Sequence, residues 1–406
     1  MSRPDSAAGS GVETSRASAG SGGGPRTSPP EQGSGFHTPE PFAEEVIHRA
    51  GSPRGRLLIA SCRSGTRLAR RVVERYRERL VEAGNEGDVP FLQDIDRDFS
   101  DSETCVRLDR HVGGYDVFLF QGLYDPVSSR HVDENYLAFL IAARTFREHG
   151  AAHITAVLPY LAYARQDKPT RFRREPTTAK LMADLSAVAG IDRLVTWHPH
   201  SKQIRGFYAN LPVDLLDPLS FFVGEFKRFA GRDDVVAVAP DAGASKLVTY
   251  FARALELRSA IASKYRPAPE EAAISEVIGD LAGKRVALVL DDMISSGGTM
   301  DAVVRKLVED EDLAELYLGI SHNLCTDQAY ERLSALHRDY NLRQVVVTNS
   351  IPQTEAFKAL PFVTVQDLSD TLAQVINRIH YNRSVSGLFY KDSQPRSAQP
   401  PNSQNT

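Results

Sequence analysis

The stretch "VALVLDDMISSGGTM", residues 286–300, decides the fold class. It opens with five apolar residues in a row, the pattern of a strand buried on both faces. Two adjacent aspartates follow, then a Ser/Gly/Thr-rich turn that opens into the helical pattern "GTMDAVVRKLVED". A buried strand, a short loop and an amphipathic helix make up one half of a parallel β-α-β unit.

The same texture recurs along the chain. Short apolar runs stand at 57–60, 117–120, 154–160, 194–197, 235–240 and 345–349, besides 286–290. Between them lie amphipathic patterns such as "GTRLARRVVERYRERLVEAG" and "TAKLMADLSAVAG". This alternation predicts an α/β protein with parallel sheets flanked by helices, and the runs divide naturally between two sheets. Ligands in such folds bind beyond the carboxyl ends of the strands, so the chemistry is expected in the segments that follow those runs.

Bulk composition bounds the function. The chain has 406 residues, 42% apolar and 25% charged, with a net charge of −4. That length allows two cores, and so mild a charge does not point to nucleic acid or a membrane surface as the main partner. No apolar stretch is long enough for a membrane span, and the first residues carry no signal-peptide core. Cys62, Cys105 and Cys325 are too few and too far apart for a disulfide framework or a metal motif, which suits reduced thiols in a cytoplasmic setting. Residues 1–35 contain 8 Ser, 8 Gly and 4 Pro. With so little apolar surface, residues 1–54 read as a disordered tail, as do residues 390–406. Asp5, Glu13 and Glu31 argue against a transit peptide there.

The loop after 286–290 has its own chemistry. Gly297 and Gly298 permit close backbone approach, while Ser295, Ser296 and Thr299 add hydroxyl donors at a helix N-terminus, a cradle for an anion. It lacks the Gly-Lys-Ser/Thr ending of a Walker A loop. Carboxylates do not bind phosphate; they bind hydroxyls or a metal. Asp291 and Asp292 ahead of a phosphate cradle therefore fit a sugar phosphate.

"LDDMISSGGTM" resembles the phosphoribosyl-diphosphate (PRPP) loop of type I phosphoribosyltransferases and PRPP synthetases. Further stretches favour the synthetases: "FSDSE" (99–103), "LPYLAYARQDKPTR" (158–171), "HSKQIRGFY" (200–208), "VAPDAGASK" (238–246), "TNSIP" (348–352) and "SVSGLF" (384–389) match in order. The resemblance implies two phosphoribosyltransferase-like domains, 55–220 with a returning segment 371–389, and 221–370 carrying the PRPP loop. It implies transfer of the β,γ-diphosphoryl group of ATP to the C1 hydroxyl of ribose 5-phosphate, with Mg²⁺, in a homo-oligomer, commonly a hexamer. Ribose 5-phosphate would lie on Asp291, Asp292, Ser295, Ser296, Gly297, Gly298 and Thr299. ATP would lie on Phe99, Asp101, Glu103, Arg165, Gln166 and Asp167. His200 and Asp241 would meet the metal, although imidazole is an unusual Mg²⁺ ligand. Lys264 and Arg266 of "SKYRPAP" would be the catalytic cations of a mobile lid.

The chain also departs from the pattern. His198-Pro199-His200 replaces the usual Asp-Leu-His, Ser102 replaces a glycine, and Ser295-Ser296 replaces Asp-Thr. "RFRREP" (171–176) is one residue longer than its counterpart. A non-catalytic regulatory subunit and a PRPP-consuming phosphoribosyltransferase stand as the competing readings; the latter needs only one such domain and leaves "ARQD" without a role.

Overall fold

The computed structural model describes residues 51–389 except Glu86, Arg171, Pro269 and Glu270, and gives no side chains for 264–273. Two sheets organise it. The first runs, in spatial order, Gly51–Ser52, Gly55–Ser61, Tyr115–Phe120, His153–Val157, Arg193–Trp197 and Val213–Leu216, with Phe91–Leu92 also paired to Gly55–Ser61. The second runs Glu271–Ile278, Arg258–Ala268, Val235–Ala239, Val286–Ile294, Glu315–Asn323, Leu342–Thr348 and Val363–Gln366. All pairings are parallel except those of Gly51–Ser52 and Glu271–Ile278, which close an edge of each sheet antiparallel.

The central strands are apolar on both faces because helices cover both. Leu58, Val117 and Ile154 face a cluster with Phe139 and Phe146 of the helix Val132–Glu148. Leu57, Ile59 and Phe118 face the opposite cluster with Val72 and Val73 of the helix Thr66–Glu82. Each such side chain, fully buried, contributes about 1.5–3 kcal/mol relative to exposure.

After the second sheet the chain returns to the first. The helix Ser369–His380 lays Leu372, Val375, Ile376 and Ile379 against the cluster of Leu57, Ile59 and Phe118. Asp370 takes hydrogen bonds from Arg75 at 2.7 Å and Arg79 at 2.6 Å, and these guanidinium groups, Arg79 foremost, hold its carboxyl down at about 2. At the far end of that helix, buried Asp116 accepts from His380 Nδ1 at 2.8 Å and from Arg54 through two bonds of 3.0 Å.

One expectation needs correction. Residues 51–54 belong to the fold, because Arg54 supplies that buried charge pair and Gly51–Ser52 pairs with Gly55–Arg56. Residues 1–50 and 390–406 lie outside the described residues. The segment read as a lid from Ser263 onward takes the form of a hairpin, Arg258–Ala268 paired with Glu271–Ile278 through register shifts at Ser263/Lys264 and Tyr265/Ala268. Pairing at the sheet edge satisfies its backbone groups, and Ile274 and Val277 pack on the second core.

Candidate functional site

The strand Val286–Ile294 loses its apolar character after Leu290, where it leaves the core. Asp291 and Asp292 stand there, half-buried, and Asp291 Oδ1 accepts the backbone N–H of Asp292 at 2.9 Å. Burial, then the neighbouring charges of Asp292 and Asp241, push the Asp291 carboxyl well above the usual range. The loop beyond is held by its carbonyls. Thr326 Oγ1 donates to Ser295 O at 2.8 Å, and Arg332 Nη1 donates to Ser296 O at 2.6 Å. Gly297 takes φ +78°, a left-handed conformation that a side chain would strain. The helix Gly298–Glu309 follows with no side-chain cap hydrogen bond from Gly297, and the dipole at its N-terminus favours an anion.

The first sheet meets this strand end directly. His200 follows the strand Arg193–Trp197, and its Nδ1 sits 2.6 Å from Asp292 Oδ2. Burial alone would raise the Asp292 carboxyl, but the His200 hydrogen bond and charge outweigh it and set it at about 2. The same bond raises His200 against the opposing effect of burial, and the charges of Arg165 and Asp167 act on that imidazole as well. Asp167 is half-buried, whereas Arg165 and Gln166 are exposed. The backbone N–H of Gln166 reaches Tyr163 O at 2.9 Å, and its carbonyl accepts from Ala179 N at 3.2 Å. Asp241 follows the strand Val235–Ala239, and its Oδ1 accepts from Gly243 N at 2.8 Å and Ala244 N at 3.3 Å, ahead of the helix Ser245–Ala254.

The nucleotide residues divide. Arg165 and Asp167 stand with His200, but Phe99, Asp101 and Glu103 occupy a separate hairpin between Asp96–Asp98 and Thr104–Val106. No hydrogen bond or ion pair among the described residues joins that tip to Arg165, His200 or the two aspartates. Phe99 is 55% exposed, and Ser102 turns the tip at φ +74°, the conformation its glycine counterpart would take freely. The base of the hairpin is rigid: buried Asp96 accepts from Arg63 N at 2.7 Å and from Arg130 Nη1 at 2.6 Å. Lys264 and Arg266 lie on the backbone of Arg258–Ala268, and their side chains are outside the described residues.

A divalent cation suits part of this arrangement. Among the described residues no group of three or more His, Cys, Asp or Glu side chains could hold a metal by itself. Mg²⁺ seldom needs such a cage, because it is usually bound by one or two protein ligands together with phosphates and water. Among the described residues only Asp241 Oδ1 and His200 Nδ1 are engaged, so Asp241 Oδ2 and His200 Nε2 could serve that role.

Sequence reasoning missed the supports of the site. Thr326 and Arg332, which hold the carbonyls of Ser295 and Ser296, sit on or beside the helix Asp327–Asp339, distant in sequence. His322 and Ser321, both buried, bond to Trp197 and His198 at the end of the first sheet, and buried Thr348 and Ser350 bond to them in turn. Polar residues ending the strand Glu315–Asn323 were the available signal.

Comparison with known proteins gives one answer. The family model described as the N-terminal domain of ribose phosphate pyrophosphokinase matches residues 57–190, and the phosphoribosyl synthetase-associated domain matches residues 253–390. A ribose-phosphate pyrophosphokinase of Caldanaerobacter subterraneus subsp. tengcongensis is 38% identical over 291 residues, covering 72% of this chain and 88% of that protein. One from a Marinomonas species is 32% identical over 335 residues, covering 82% of this chain and 99% of its own. The crystal structure of phosphoribosylpyrophosphate synthetase from Mycobacterium smegmatis superposes with a TM-score of 0.69 at 32% identity, covering 80% of this chain and 99% of that one.

Proposed function

The chain belongs to the ribose-phosphate pyrophosphokinase family, and from that premise we propose that it is a catalytic member. In this reading the C1 hydroxyl of ribose 5-phosphate attacks the β-phosphorus of ATP. The bond from that phosphorus to the α,β-bridging oxygen breaks, and AMP leaves as PRPP forms. The observation that carries the reading is the convergence of an acidic pair, an uncapped helix N-terminus and His200 at the carboxyl ends of both sheets.

The sugar hydroxyls meet Asp291 and Asp292, and the 5-phosphate takes the N–H groups and hydroxyls of Ser295, Ser296, Gly297, Gly298 and Thr299. With Asp292 Oδ2 already engaged by His200, its Oδ1 serves the sugar, and the His200 contact holds that carboxylate ionised. Arg165, Gln166 and Asp167 line the polyphosphate path. Mg²⁺, held between Asp241, His200 and the phosphates, would neutralise charge on the transferring group. Lys264 and Arg266 supply further positive charge there, worth about 3–4 kcal/mol for one well-placed donor. Positioning and charge neutralisation do most of the work in such a transfer.

Phe99 packs on adenine, with Asp101 and Glu103 on its polar edge, and the exposed hairpin suits delivery to a neighbouring subunit. Leu137, Leu181, Leu185 and Val188 are exposed on the helices Val132–Glu148 and Thr178–Ala189, which suits a homo-oligomer, such as a hexamer. No helix of the described residues is long and apolar enough to cross a membrane, and a cytoplasmic setting is part of this reading. The non-catalytic regulatory reading draws on the departures from the family's pattern, among them His198 where the family usually has aspartate and Ser102 where it has glycine. Incubation with ribose 5-phosphate, Mg²⁺ and ATP decides between them: a catalytic member forms AMP and PRPP alone, whereas a regulatory one forms neither until a catalytic partner is added.

A further inference from the structure

The turn that carries His200 is held from the second sheet by a buried hydrogen-bonded brace. His322 ends the strand Glu315–Asn323 and is 1% exposed. Its Nε2 lies 3.1 Å from the carbonyl oxygen of Trp197 and 3.1 Å from that of His198, and its Nδ1 lies 2.7 Å from Ser350 Oγ. Carbonyls only accept, so Nε2 carries the proton and Nδ1 accepts from the Ser350 hydroxyl. Thr348 Oγ1 donates to Ser321 O at 2.6 Å, and Ser321 Oγ lies 2.6 Å from His198 Nδ1. The Tyr160 ring meets His322 edge-on with centroids 5.1 Å apart.

This brace grips a backbone that would not keep its shape unaided. His198 takes φ +36° immediately before Pro199, an unfavourable conformation for a residue with a side chain. Such strain persists only where the surroundings over-determine it, and it clusters at functional sites. Here the carbonyl and the imidazole of His198 are both tied to the second sheet. Two residues on, His200 meets Asp292 at 2.6 Å.

We infer that His322 is a positioning residue: by fixing the carbonyls of Trp197 and His198 it sets His200 against Asp292, although it hydrogen-bonds to neither. This rests on the diphosphokinase reading of the site. His198 in place of the family's aspartate belongs to the same device, its imidazole taking Ser321 across the gap between the sheets.

The test compares His322→Ala, His322→Gln, His200→Ala and the His322→Ala/His200→Ala pair for AMP formation from ribose 5-phosphate and Mg-ATP, alongside a crystal structure of His322→Ala. A misplacement of about 1 Å can cost about 100-fold in rate, so His322→Ala should lose tenfold or more. His322→Gln should recover part of the loss, because one amide carries both a donor and an acceptor. The double variant should be no slower than His200→Ala alone, since His322 acts through His200. In the variant's crystal structure His200 should no longer reach Asp292. Losses that multiply in the double variant, or a His200–Asp292 contact intact without His322, overturn the inference. If His322→Ala fails to fold, Ser350→Ala leaves the His322 ring in place and removes the hydroxyl that meets its Nδ1, Thr348 Oγ1 and Ser321 O, and the same comparisons decide. A wild-type protein that forms no AMP counts against the diphosphokinase reading, and the variant crystal structure then tests the brace by itself.

Discussion

Replacing Asp292 with asparagine removes a negative charge from the contact that joins the ends of the two sheets. The carboxyl stands at about 2 against an ordinary 3.8. That gap is nearly two units, and at about 1.36 kcal/mol per unit it corresponds to roughly 2 kcal/mol in favour of the ionised form in the folded protein. A hydrogen bond to a charged group is independently worth about 1.5–3 kcal/mol. The pH range follows from the directions of the two shifts. Asp292 is depressed, so its contribution is present above 3.8 and is lost as pH falls towards about 2. His200 is raised above 6.5, so its contribution is full below 6.5 and is lost as pH rises through its higher folded value. Wild type and Asp292→Asn should therefore differ most between about pH 4 and 6.5 and converge in alkali. For a body of this size about 2 kcal/mol lowers the melting temperature by roughly 3 °C. Calorimetric melting at about pH 5.5 and about pH 9 measures the difference. The same variant should bind ribose 5-phosphate about tenfold more weakly, with Mg-ATP binding retained. A melting difference that is absent at mildly acidic pH, or equal at both pH values, refutes the charge-pair reasoning. Unchanged sugar affinity refutes the hydroxyl assignment.

Lys264→Ala should lower kcat by about 100-fold or more with modest changes in KM, because its charge acts mainly on the transition state; wild-type turnover would make it a solvated lysine. Deleting residues 1–50 should leave both melting temperature and kcat nearly unchanged, whereas deleting 1–54 also removes Arg54 and leaves buried Asp116 with His380, at a cost of about 3–5 kcal/mol. Equal melting of the two truncations would show that Arg54 contributes nothing. Phe99→Ala and Lys264→Ala, each nearly inactive alone, should together recover up to about a quarter of wild-type activity in mixed oligomers if the hairpin serves a neighbouring subunit; verified mixed oligomers without recovery place the whole site within one chain.

Much of the fold was legible because its strands are apolar on both faces. Where packing required otherwise, the signal failed. The strand Glu315–Asn323 was missed because Gly319 interrupts its apolar run. A Cβ there would meet Leu290 Cδ2 at 2.5 Å and Phe226 Cε2 at 2.9 Å, so those core side chains would have to shift to admit a larger residue. The hairpin from Arg258 to Ile278 read as a lid because its prolines and charges resemble a loop, and pairing at a sheet edge tolerates them. In the site, Asp291, Asp292 and the glycine loop announced themselves by type and order. The His200–Asp292 contact did not, because the two residues are 92 positions apart and stand at the strand ends of different sheets. His322 was invisible for a related reason: a buried histidine shows its purpose only through its partners, here two carbonyls and a serine from other elements.

Dependence of AMP formation on ribose 5-phosphate tests the account most directly. Purified full-length protein is incubated with ATP and Mg²⁺, with and without the sugar phosphate, and nucleotides and PRPP are quantified together. The account predicts AMP and PRPP in equal amounts when the sugar is present and neither when it is omitted. ATP cleaved to AMP without the sugar, or no AMP under any condition, contradicts it.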